Sequence, residues 1–404
     1  MGPDSCTGAD HLPPAVSSSF RFSVIIPVFN RSGPLHQLLD ALAKQKFPRE
    51  DFEVLVCDDG STEDISAVVQ TAAETSKLQV TCLRQSWSGP GGARNLGLSH
   101  AKGELIAFTD SDCIPAPDWL AAFDRAFASP DIKIAGGSIA YRDAEHLSGR
   151  CINFLNASTL GGAGGADPRS RVHMDYYPRT MNLAVRRSLA LTAGGFPPYG
   201  NGEDVVFVHH ACELVLKKAV RFVAGASVLH NEQRTLAQAF SVSLRRGVAR
   251  VRLLRPHGIH QAVHALPSAL VVYLLAWIGF AATGSVVTAP TAVPLALYAI
   301  ILGVLAVQGC VDMKDWRALA GIPAYAVALH LGHGVGYLGG YLGLLHAKGE
   351  HMLATKASPQ PELLGASACH NRVAELSSQP DSFLARSIPG ADERKQRAPG
   401  PVVD

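Results

Sequence analysis

The chain has 404 residues, enough for two or three domains. Hydrophobic residues make up 47% of it and charged residues 17%, a balance too apolar for an ordinary soluble enzyme. The formal net charge of +2 argues against a nucleic-acid binder that works through bulk charge. The eight cysteines form no CxxC pair, which is typical of reduced residues in a protein that faces the cytosol.

The N-terminal part of the chain alternates strand and helix patterns. Residues 1–20 lack the basic and apolar regions of a signal peptide, so we predict a disordered lead. Four apolar runs then predict strands: FSVIIPVF, FEVLVCDD, LQVTCLRQ and ELIAFTDSD. Helical patterns such as PLHQLLDALAKQ and DISAVVQTAAET lie between them. This alternation predicts an α/β fold with a mostly parallel central sheet over residues 21–242.

The fourth predicted strand ends in two aspartates, Asp110 and Asp112. Residues two apart on a strand point to the same face, so both carboxylates could converge on one point. A hard divalent cation accepts carboxylate oxygens and removes their repulsion. The alternative is a turn that caps a helix beginning near Pro117.

Polar residues also end the first two strands, in Pro27 to Asn30 and in Asp58 to Ser61. Such residues can cap the next helix, but three polar strand ends would share one edge of a parallel sheet, where α/β proteins bind ligands. After the third strand, Gly89 to Gly92 permit close backbone approach and Arg94 opens a helix, which suits a phosphate or a base. The segment is neither a Walker A motif nor a GxGxxG fingerprint.

Five motifs in order resemble those of family-2 glycosyltransferases of the GT-A fold: SVIIPVFN, VCDDGSTED, GGARNLGL, FTDSD and GEDVVF. The match runs from Phe22 to His230. The resemblance implies an inverting sugar transfer from a nucleotide diphosphate-sugar, with UDP-sugars favoured by their frequency in the family. It also implies Mg²⁺ or Mn²⁺, which would bridge the aspartates and the donor diphosphate.

The same resemblance assigns roles to individual residues. The metal ligands would be Asp110 and Asp112, with Asp110 also near the ribose. Some GT-A enzymes use a later histidine as a further ligand, here His230, although a lone histidine is more often structural. The residues assigned to the nucleotide-sugar are Pro27, Phe29, Asn30, Asp58, Asp59, Arg94, Asp110 and Ser111.

The acceptor side of the resemblance lies in MNLAVRRSLALTAGGF and GNGEDVVF. Inverting transfer is one in-line displacement and needs a base to take the proton of the acceptor hydroxyl. The resemblance assigns the base to the pair Glu203 and Asp204, and we favour Asp204. The alternative is capping, because carboxylates in a first helical turn are stabilised by the helix dipole.

The C-terminal part is apolar and begins with a basic segment at 243–262, where five arginines beside an apolar face predict an interfacial helix. A membrane region of about three helices is predicted over 264–346. Its three uncharged segments are Leu266–Ala289, Val293–Val311 and Ile322–Leu345. The third carries glycines at four-residue spacing and precedes a basic tail, so it is a span, a re-entrant segment or a paired helix. A chain cut near Arg255 is expected to be a soluble domain.

Residues 351–404 are rich in Ser, Pro and charge and are predicted to be disordered. The sequence as a whole resembles membrane-anchored exopolysaccharide glycosyltransferases. We therefore predict a multi-pass protein of the plasma membrane whose catalytic domain faces the cytoplasm. The expected partners are a nucleotide-sugar donor, membrane lipid and a membrane-associated acceptor such as a polyprenyl-linked glycan, and no nucleic acid. The alternatives are a nucleotidyltransferase and a non-catalytic nucleotide-binding membrane protein.

Overall fold

A computed structural model describes residues 20–141, 146–158, 178–198, 201–230, 234–257, 262–283 and 291–345. The predicted disordered lead, apart from Phe20, and the predicted disordered tail at 351–404 lie outside the described residues. Residues 284–289, the end of the first uncharged segment, also lie outside them.

The first half of the sheet is parallel and is built from the four predicted strands. These are β1 (Phe20–Val28), β2 (Phe52–Asp58), β3 (Val80–Arg84) and β4 (Gly103–Thr109), in the order β3-β2-β1-β4. Every residue of β2 is buried, as expected for a strand that is covered on both faces. The helices that connect these strands are α1 (Ser32–Ala43), α2 (Ile65–Ser76) and α3 (Gly89–His100).

The second half of the sheet mixes strand directions. Its strands are β5 (Cys113–Pro115), β6 (Ile134–Tyr141), β7 (Asn182–Arg186) and β8 (Val220–His230). The full order is β3-β2-β1-β4-β7-β6-β8-β5, and four of the seven neighbouring pairs are parallel. The accompanying helices are α4 (Trp119–Phe127), α5 (Leu147–Ala157), α6 (Arg187–Thr192) and α7 (Glu203–Glu213). The predicted α/β class is confirmed.

Two apolar cores cover the two faces of the sheet. Side chains alternate along β1, so that Ile26 enters one core and Ile25 the other. In the second core the ring of Phe207 lies 5.8 Å from that of Phe108 and stacks on Phe196 at 4.2 Å. These aromatic contacts hold the start of α7 beside the carboxyl end of β4, where the polar strand ends meet.

Four helices follow the sheet: α8 (Leu236–His257), α9 (Leu266–Ala282), α10 (Val293–Met313) and α11 (Ala318–Tyr341). By length and composition, α10 and α11 are able to cross a membrane, and α9 is a shorter apolar helix of 17 residues. Among the described residues, two of the three predicted spans therefore pass this test. The outer face of α10 is apolar and exposes Val293, Leu297, Ile300, Ile301, Val304, Val307 and Val311.

Helix α8 packs along α11 through a row of glycines. A Cβ on Gly332 would lie 2.5 Å from the carbonyl oxygen of Phe240, and one on Gly336 would overlap that of Leu244. The contacts advance together along both helices, so the two run in the same direction. The predicted pairing of the third apolar segment is therefore present. The boundary predicted between residues 242 and 243 falls inside α8, and the apolar face predicted for the membrane interface covers α11 instead.

Helix α5, inserted between β6 and β7, joins the sheet to the apolar helices. Its residues Ile152 and Leu155 form a third core with Leu302 of α10 and Ile322 of α11. This core lies apart from the two that cover the sheet. The sheet and the apolar helices are thus packed together through α5 as well as α8.

Candidate active site

Asp58 is the last residue of β2, and both of its carboxylate oxygens accept hydrogen bonds. Its side chain is buried, and its Oδ2 accepts a hydrogen bond from Arg84 Nη1 at 2.6 Å. Its Oδ1 accepts from the backbone N–H of Ser61 at 2.9 Å. Arg84, which the sequence did not single out, compensates the buried charge; it stands at the register position opposite Asp58 on β3.

Asp59 caps α3. Its carboxylate accepts the backbone N–H groups of Ser88 and Gly89 and the side-chain amide of Gln85, each at 2.8 Å. Burial raises the pKa of Asp59, although these three donors lower it. The segment expected to be a loop, Gly89 to Gly92, is therefore the first turn of α3, and the amides of Ser88 and Gly89 at its start bind Asp59. For the same reason Arg94 lies inside the helix and does not open it.

Asn30 lies just after β1 and holds the loop that follows β2 through hydrogen bonds to Ser61 and Thr62. It has a left-handed backbone with φ 51°, which asparagine tolerates. Its Oδ1 accepts the N–H of Thr62 at 2.7 Å, and its own N–H donates to Ser61 Oγ at 2.9 Å. Pro27 is half-buried within β1, while Phe29 is 45% exposed and presents an aromatic face at the carboxyl edge of the sheet.

Asp110 and Asp112 lie in the turn between β4 and β5. Strand β4 ends at Thr109, so the strand geometry expected for the pair is wrong. The two carboxylates pair with different partners: Asp110 Oδ1 accepts from Arg94 Nη2 at 2.8 Å, whereas Asp112 pairs with Arg31 and lies 3.4 Å from His230 Nε2. Ser111 between them is buried.

Asp112 and His230 are brought together by strand pairing. His230 ends β8 and stands opposite Cys113 in the antiparallel register with β5. Burial would raise the pKa of Asp112, but His230 and Arg31 outweigh it and lower the pKa to about 2. Asp112 is therefore an anion across the ordinary pH range, beside an imidazole and a guanidinium that is about half exposed.

The donor set around Asp112 fits a divalent cation. Ligating atoms of Asp112, Cys113 and His230 lie within 4.8 Å of one another. Burial raises the pKa of Cys113 far above its ordinary value, so a cation would have to displace the thiol proton before the sulfur could become a ligand. The carboxylate and imidazole that remain suit Mn²⁺ better than the harder Mg²⁺, which prefers oxygen alone. Asp110 does not belong to this group but stands two residues away in the same turn.

Arg94 joins Asp110 to the acceptor-side pair. It is 4% exposed, and its Nη1 donates to Glu203 Oε1 at 3.1 Å while Nη2 binds Asp110. Its guanidinium also lies 5.4 Å from the centre of the Phe196 ring. Burial would lower the pKa of Arg94, but Asp110, Glu203 and Asp204 raise it, so the cation is kept. The nucleoside role expected for Arg94 stays a prediction.

Glu203 and Asp204 open α7 after Gly202, whose φ of 89° requires glycine. Glu203 is buried, and burial together with Asp204 raises its pKa to about 7 in spite of Arg94. Asp204 is half-buried, and its charge acts to raise the pKa of Arg250 on α8, which burial lowers, as well as that of Arg94. The two adjacent carboxylates therefore have different environments.

Residues 23–160 match the family described as Glycosyl transferase family 2. Glycosyltransferase AglE of Haloferax volcanii is 28% identical over 197 residues, which are 47% of this chain and 61% of that protein. The poly(ribitol-phosphate) beta-N-acetylglucosaminyltransferase TarS of Staphylococcus aureus is 42% identical over 92 residues, 23% of this chain and 16% of that protein. The chain thus spans 61% and 16% of the length of these relatives.

The fold has solved counterparts. The mannosyltransferase PcManGT from Pyrobaculum calidifontis, solved in complex with GDP-Man and Mn²⁺, superimposes with a TM-score of 0.53 at 23% identity. The alignment covers 80% of this chain and 89% of PcManGT. Residues 23–160 thus match the glycosyltransferase family 2 model and lie in a GT-A-like α/β sheet that is followed by apolar helices.

Proposed function

We propose that this chain is a membrane-anchored, metal-dependent, inverting glycosyltransferase. It moves a sugar from a nucleotide diphosphate-sugar to a membrane-associated acceptor such as a polyprenyl-linked glycan. The observation that carries this proposal is that Asp110, in the turn after β4, and Glu203, at the start of α7, bind the same guanidinium, that of Arg94. A donor-side and an acceptor-side carboxylate are thus brought together, the first of them within the matched residues 23–160.

The donor is bound at the carboxyl edge of the parallel half of the sheet. Phe29 offers an aromatic face to a base, and the loop that Asn30 and Asp58 hold lies beside it. The relatives support the donor class: TarS is named as an N-acetylglucosaminyltransferase, and PcManGT was solved with GDP-Man. We retain a UDP-sugar as the favoured donor.

The metal would be held by Asp112 and His230, with Asp110 beside them in the turn. When bound, a divalent cation supplies positive charge that stabilises the departing diphosphate. Arg31, which pairs with Asp112, is exposed enough to move aside. In this structure Asp110 pairs with Arg94 and Asp112 pairs with Arg31. At Asp112, a bound cation would take the place of the Arg31 charge.

Asp204 is the proposed base. Glu203 is buried against Arg94, whereas the Asp204 carboxylate is the more accessible of the pair. In the displacement, the acceptor hydroxyl oxygen bonds to the anomeric carbon and its proton passes to Asp204. The bond from the anomeric carbon to the diphosphate oxygen breaks on the opposite side, and nucleoside diphosphate leaves.

The acceptor side lies next to the basic face of α8. Gly202 packs on Leu253 of α8, since a Cβ at Gly202 would lie 3.3 Å from Leu253 Cδ1. Arg250, three residues earlier, is within electrostatic reach of Asp204. Cations beside the base and apolar helices suit an acceptor with an anionic head and a lipid tail. The arginines of α8 favour the cytoplasmic side of the plasma membrane, with the outer faces of α9 and α10 in lipid across a multi-pass anchor.

The test is turnover of the purified protein in detergent. UDP- and GDP-sugars are supplied one at a time with Mn²⁺ and with polyprenyl phosphate or a polyprenyl diphosphate-linked sugar. We expect nucleoside diphosphate to be released with one donor, and release to stop with excess chelator. Release of pyrophosphate would instead indicate a nucleotidyltransferase. Binding without turnover across the whole panel would indicate a non-catalytic protein.

A further inference from the structure

One face of α3 contacts the segment that leads into α7. Gly91, Arg94 and Asn95 are three and four residues apart and therefore lie together on this helix. From the sequence, these residues are expected to form a loop and a helix start that bind a phosphate or a base. In the structure their partners are residues of the chain itself: Asp110, 16 positions from Arg94, and residues between Phe196 and Glu203, about one hundred positions away.

Two of these contacts fix the backbone before α7. The Asn95 amide donates to the Phe196 carbonyl at 2.7 Å and accepts the Phe196 N–H at 2.8 Å. At Gly91, a Cβ would lie 2.9 Å from Glu203 Cγ and 3.2 Å from the Pro197 carbonyl oxygen. Only a residue without a side chain lets the two segments come this close.

The third contact is the Arg94 bridge between Asp110 and Glu203, at 2.8 and 3.1 Å. Arg94 and Glu203 are both buried, at 4% and 5% exposure, so little water screens the interaction. The planar fork of a guanidinium can bind two carboxyl groups at once, which the single ammonium of lysine does with poorer geometry.

We infer that Arg94 is a positioning residue, which fixes the first turn of α7, and with it Asp204, relative to the Asp110 turn. It thereby couples the donor side of the site to the acceptor side. This inference rests on the proposed function. It differs from the nucleoside role expected for Arg94, since a nucleoside contact would act on donor affinity and a positioning contact on the rate of transfer.

The test compares Arg94→Lys with a matched variant, Arg186→Lys. Arg186 is also partly buried, pairs with Glu104 at 2.6 Å and lies 5.6 Å from the Phe127 ring centre, but it sits at the opposite end of β4. A catalytic group displaced by about 1 Å can cost roughly 10²-fold in rate. We expect Arg94→Lys to lower kcat by about that factor with donor KM within about threefold of the wild type, and Arg186→Lys to change neither.

A second variant approaches the same contact from the other side. Gly91→Ala keeps Arg94 but pushes against Glu203, and we expect it to lower kcat in the same way. It keeps the inference testable if Arg94→Lys does not fold. A rise in donor KM with unchanged kcat in Arg94→Lys would overturn the inference in favour of the nucleoside role. Unchanged kcat and KM in the variants that fold would overturn it outright.

Hydrogen exchange supplies a readout that does not depend on activity. The amides of Val206 and Phe207 report the opening of the first turn of α7, since Val206 N–H donates to the Gly202 carbonyl at 3.2 Å. We expect exchange there to be about tenfold faster in Arg94→Lys or Gly91→Ala, and unchanged in Arg186→Lys. If the wild type showed no turnover, the proposed function would be refuted. The exchange rates alone would then test whether the Arg94 bridge holds the first turn of α7. Equal exchange in all the proteins would overturn it.

Discussion

Two neighbouring carboxylates in one helical turn differ because their surroundings differ. Glu203 points into the protein against Arg94, and burial raises its pKa to about 7. Asp204 follows it on the helix and therefore points about 100° away, where it is only half-buried. Paired titratable groups with unequal environments are the usual basis for dividing roles in an active site.

The first prediction concerns Asp204. Asp204→Asn keeps the shape of the side chain but cannot accept a proton, so we expect kcat to fall by about 10²–10⁴-fold. Donor affinity and melting temperature should stay near the wild-type values, because a charge in the first turn of a helix contributes only about 0.3–1 kcal/mol. The control is Glu213→Gln, an exposed carboxylate at the end of the same helix, which should leave kcat unchanged. Full turnover in Asp204→Asn would transfer the role of base to another carboxylate.

The second prediction concerns pH and Glu203. Its pKa rises from 4.5 to about 7 on folding, so the folded chain binds this proton more tightly than the unfolded chain. The resulting stabilisation is complete below pH 4.5 and is lost as the pH rises through about 7. We therefore expect the melting temperature of the wild type to fall relative to Glu203→Gln between pH 5 and 8, since glutamine does not titrate. Parallel curves for the two proteins would contradict the raised pKa.

The third prediction concerns the metal ligands. Asp112→Asn and His230→Ala should each weaken Mn²⁺ binding by about tenfold or more, measured by electron paramagnetic resonance of free Mn²⁺. Cys113→Ala should weaken binding less than either of these changes, because burial raises the pKa of the thiol and opposes its ionisation. If Cys113→Ala weakened binding as much as Asp112→Asn, the thiolate would have to be counted as a ligand.

At the scale of elements, helices α8 and α11 pack against each other, although the sequence predicted a different environment for each. The sequence assigned α8 to lipid phosphates and α11 to the bilayer, yet Val248 and Val251 of α8 are buried and the Ser243 hydroxyl donates to the Leu329 carbonyl at 2.6 Å. An arginine at the centre of a bilayer costs about 2.5–3.5 kcal/mol on insertion scales, and α8 carries several. A paired α11, shielded by α8, therefore agrees better with the charges than a simple span does.

The fourth prediction tests this packing at one glycine. Alanine at Gly336 would overlap the Leu244 carbonyl, so α8 and α11 must separate. We expect Gly336→Ala to lower the melting temperature of the detergent-solubilised protein by several degrees. The control is Gly303→Ala on α10, where no described atom lies within 4 Å of the added Cβ and alanine improves helix propensity by about 1 kcal/mol. Equal effects of the two changes would argue against the close α8–α11 contact.

At the scale of the whole molecule, the sheet and the apolar helices share cores. Helix α5 contributes Ile152 and Leu155 to the core with α10 and α11, and Arg150 pairs with Asp315 at 3.3 Å beside the end of α10. The face of α8 with Val248 covers α11. The catalytic part of the chain therefore depends on the apolar helices for the burial of its own α5 and α8.

The fifth prediction revises the expected truncation. A chain ending near Arg255 would expose the buried apolar faces of α5 and α8 to water, and contiguous apolar patches promote association. We expect this chain to sediment or to need detergent, whereas a chain ending after residue 345 is extracted as a monodisperse protein. The measurement is size-exclusion chromatography of both chains with and without detergent. A monomeric, detergent-free chain ending at Arg255 would show that the sheet folds without the apolar helices.

Local pattern in the sequence determined the strands and the polar residues that end them. Strands β1, β2 and β4 are nearly continuous apolar runs because both of their faces are buried, and buried faces leave a direct trace in composition. Composition likewise indicated the uncharged apolar helices, and the four-residue spacing of glycines in α11 could be read directly from the sequence. The family motifs then predicted which strand ends carry Asp110 and Asp112.

Only the tertiary structure decided which polar groups meet. Arg94 reaches Glu203 across 109 positions, and His230 reaches Asp112 because β5 pairs with β8. Such partners are set by how the sheet closes, with β7 placed between β4 and β6, and no local period encodes that order. The turn after Thr109 likewise separates Asp110 from Asp112, since the strand ends one residue before the pair begins. Charge pairing in a buried site depends on distances through space, and these exist only once distant elements have packed.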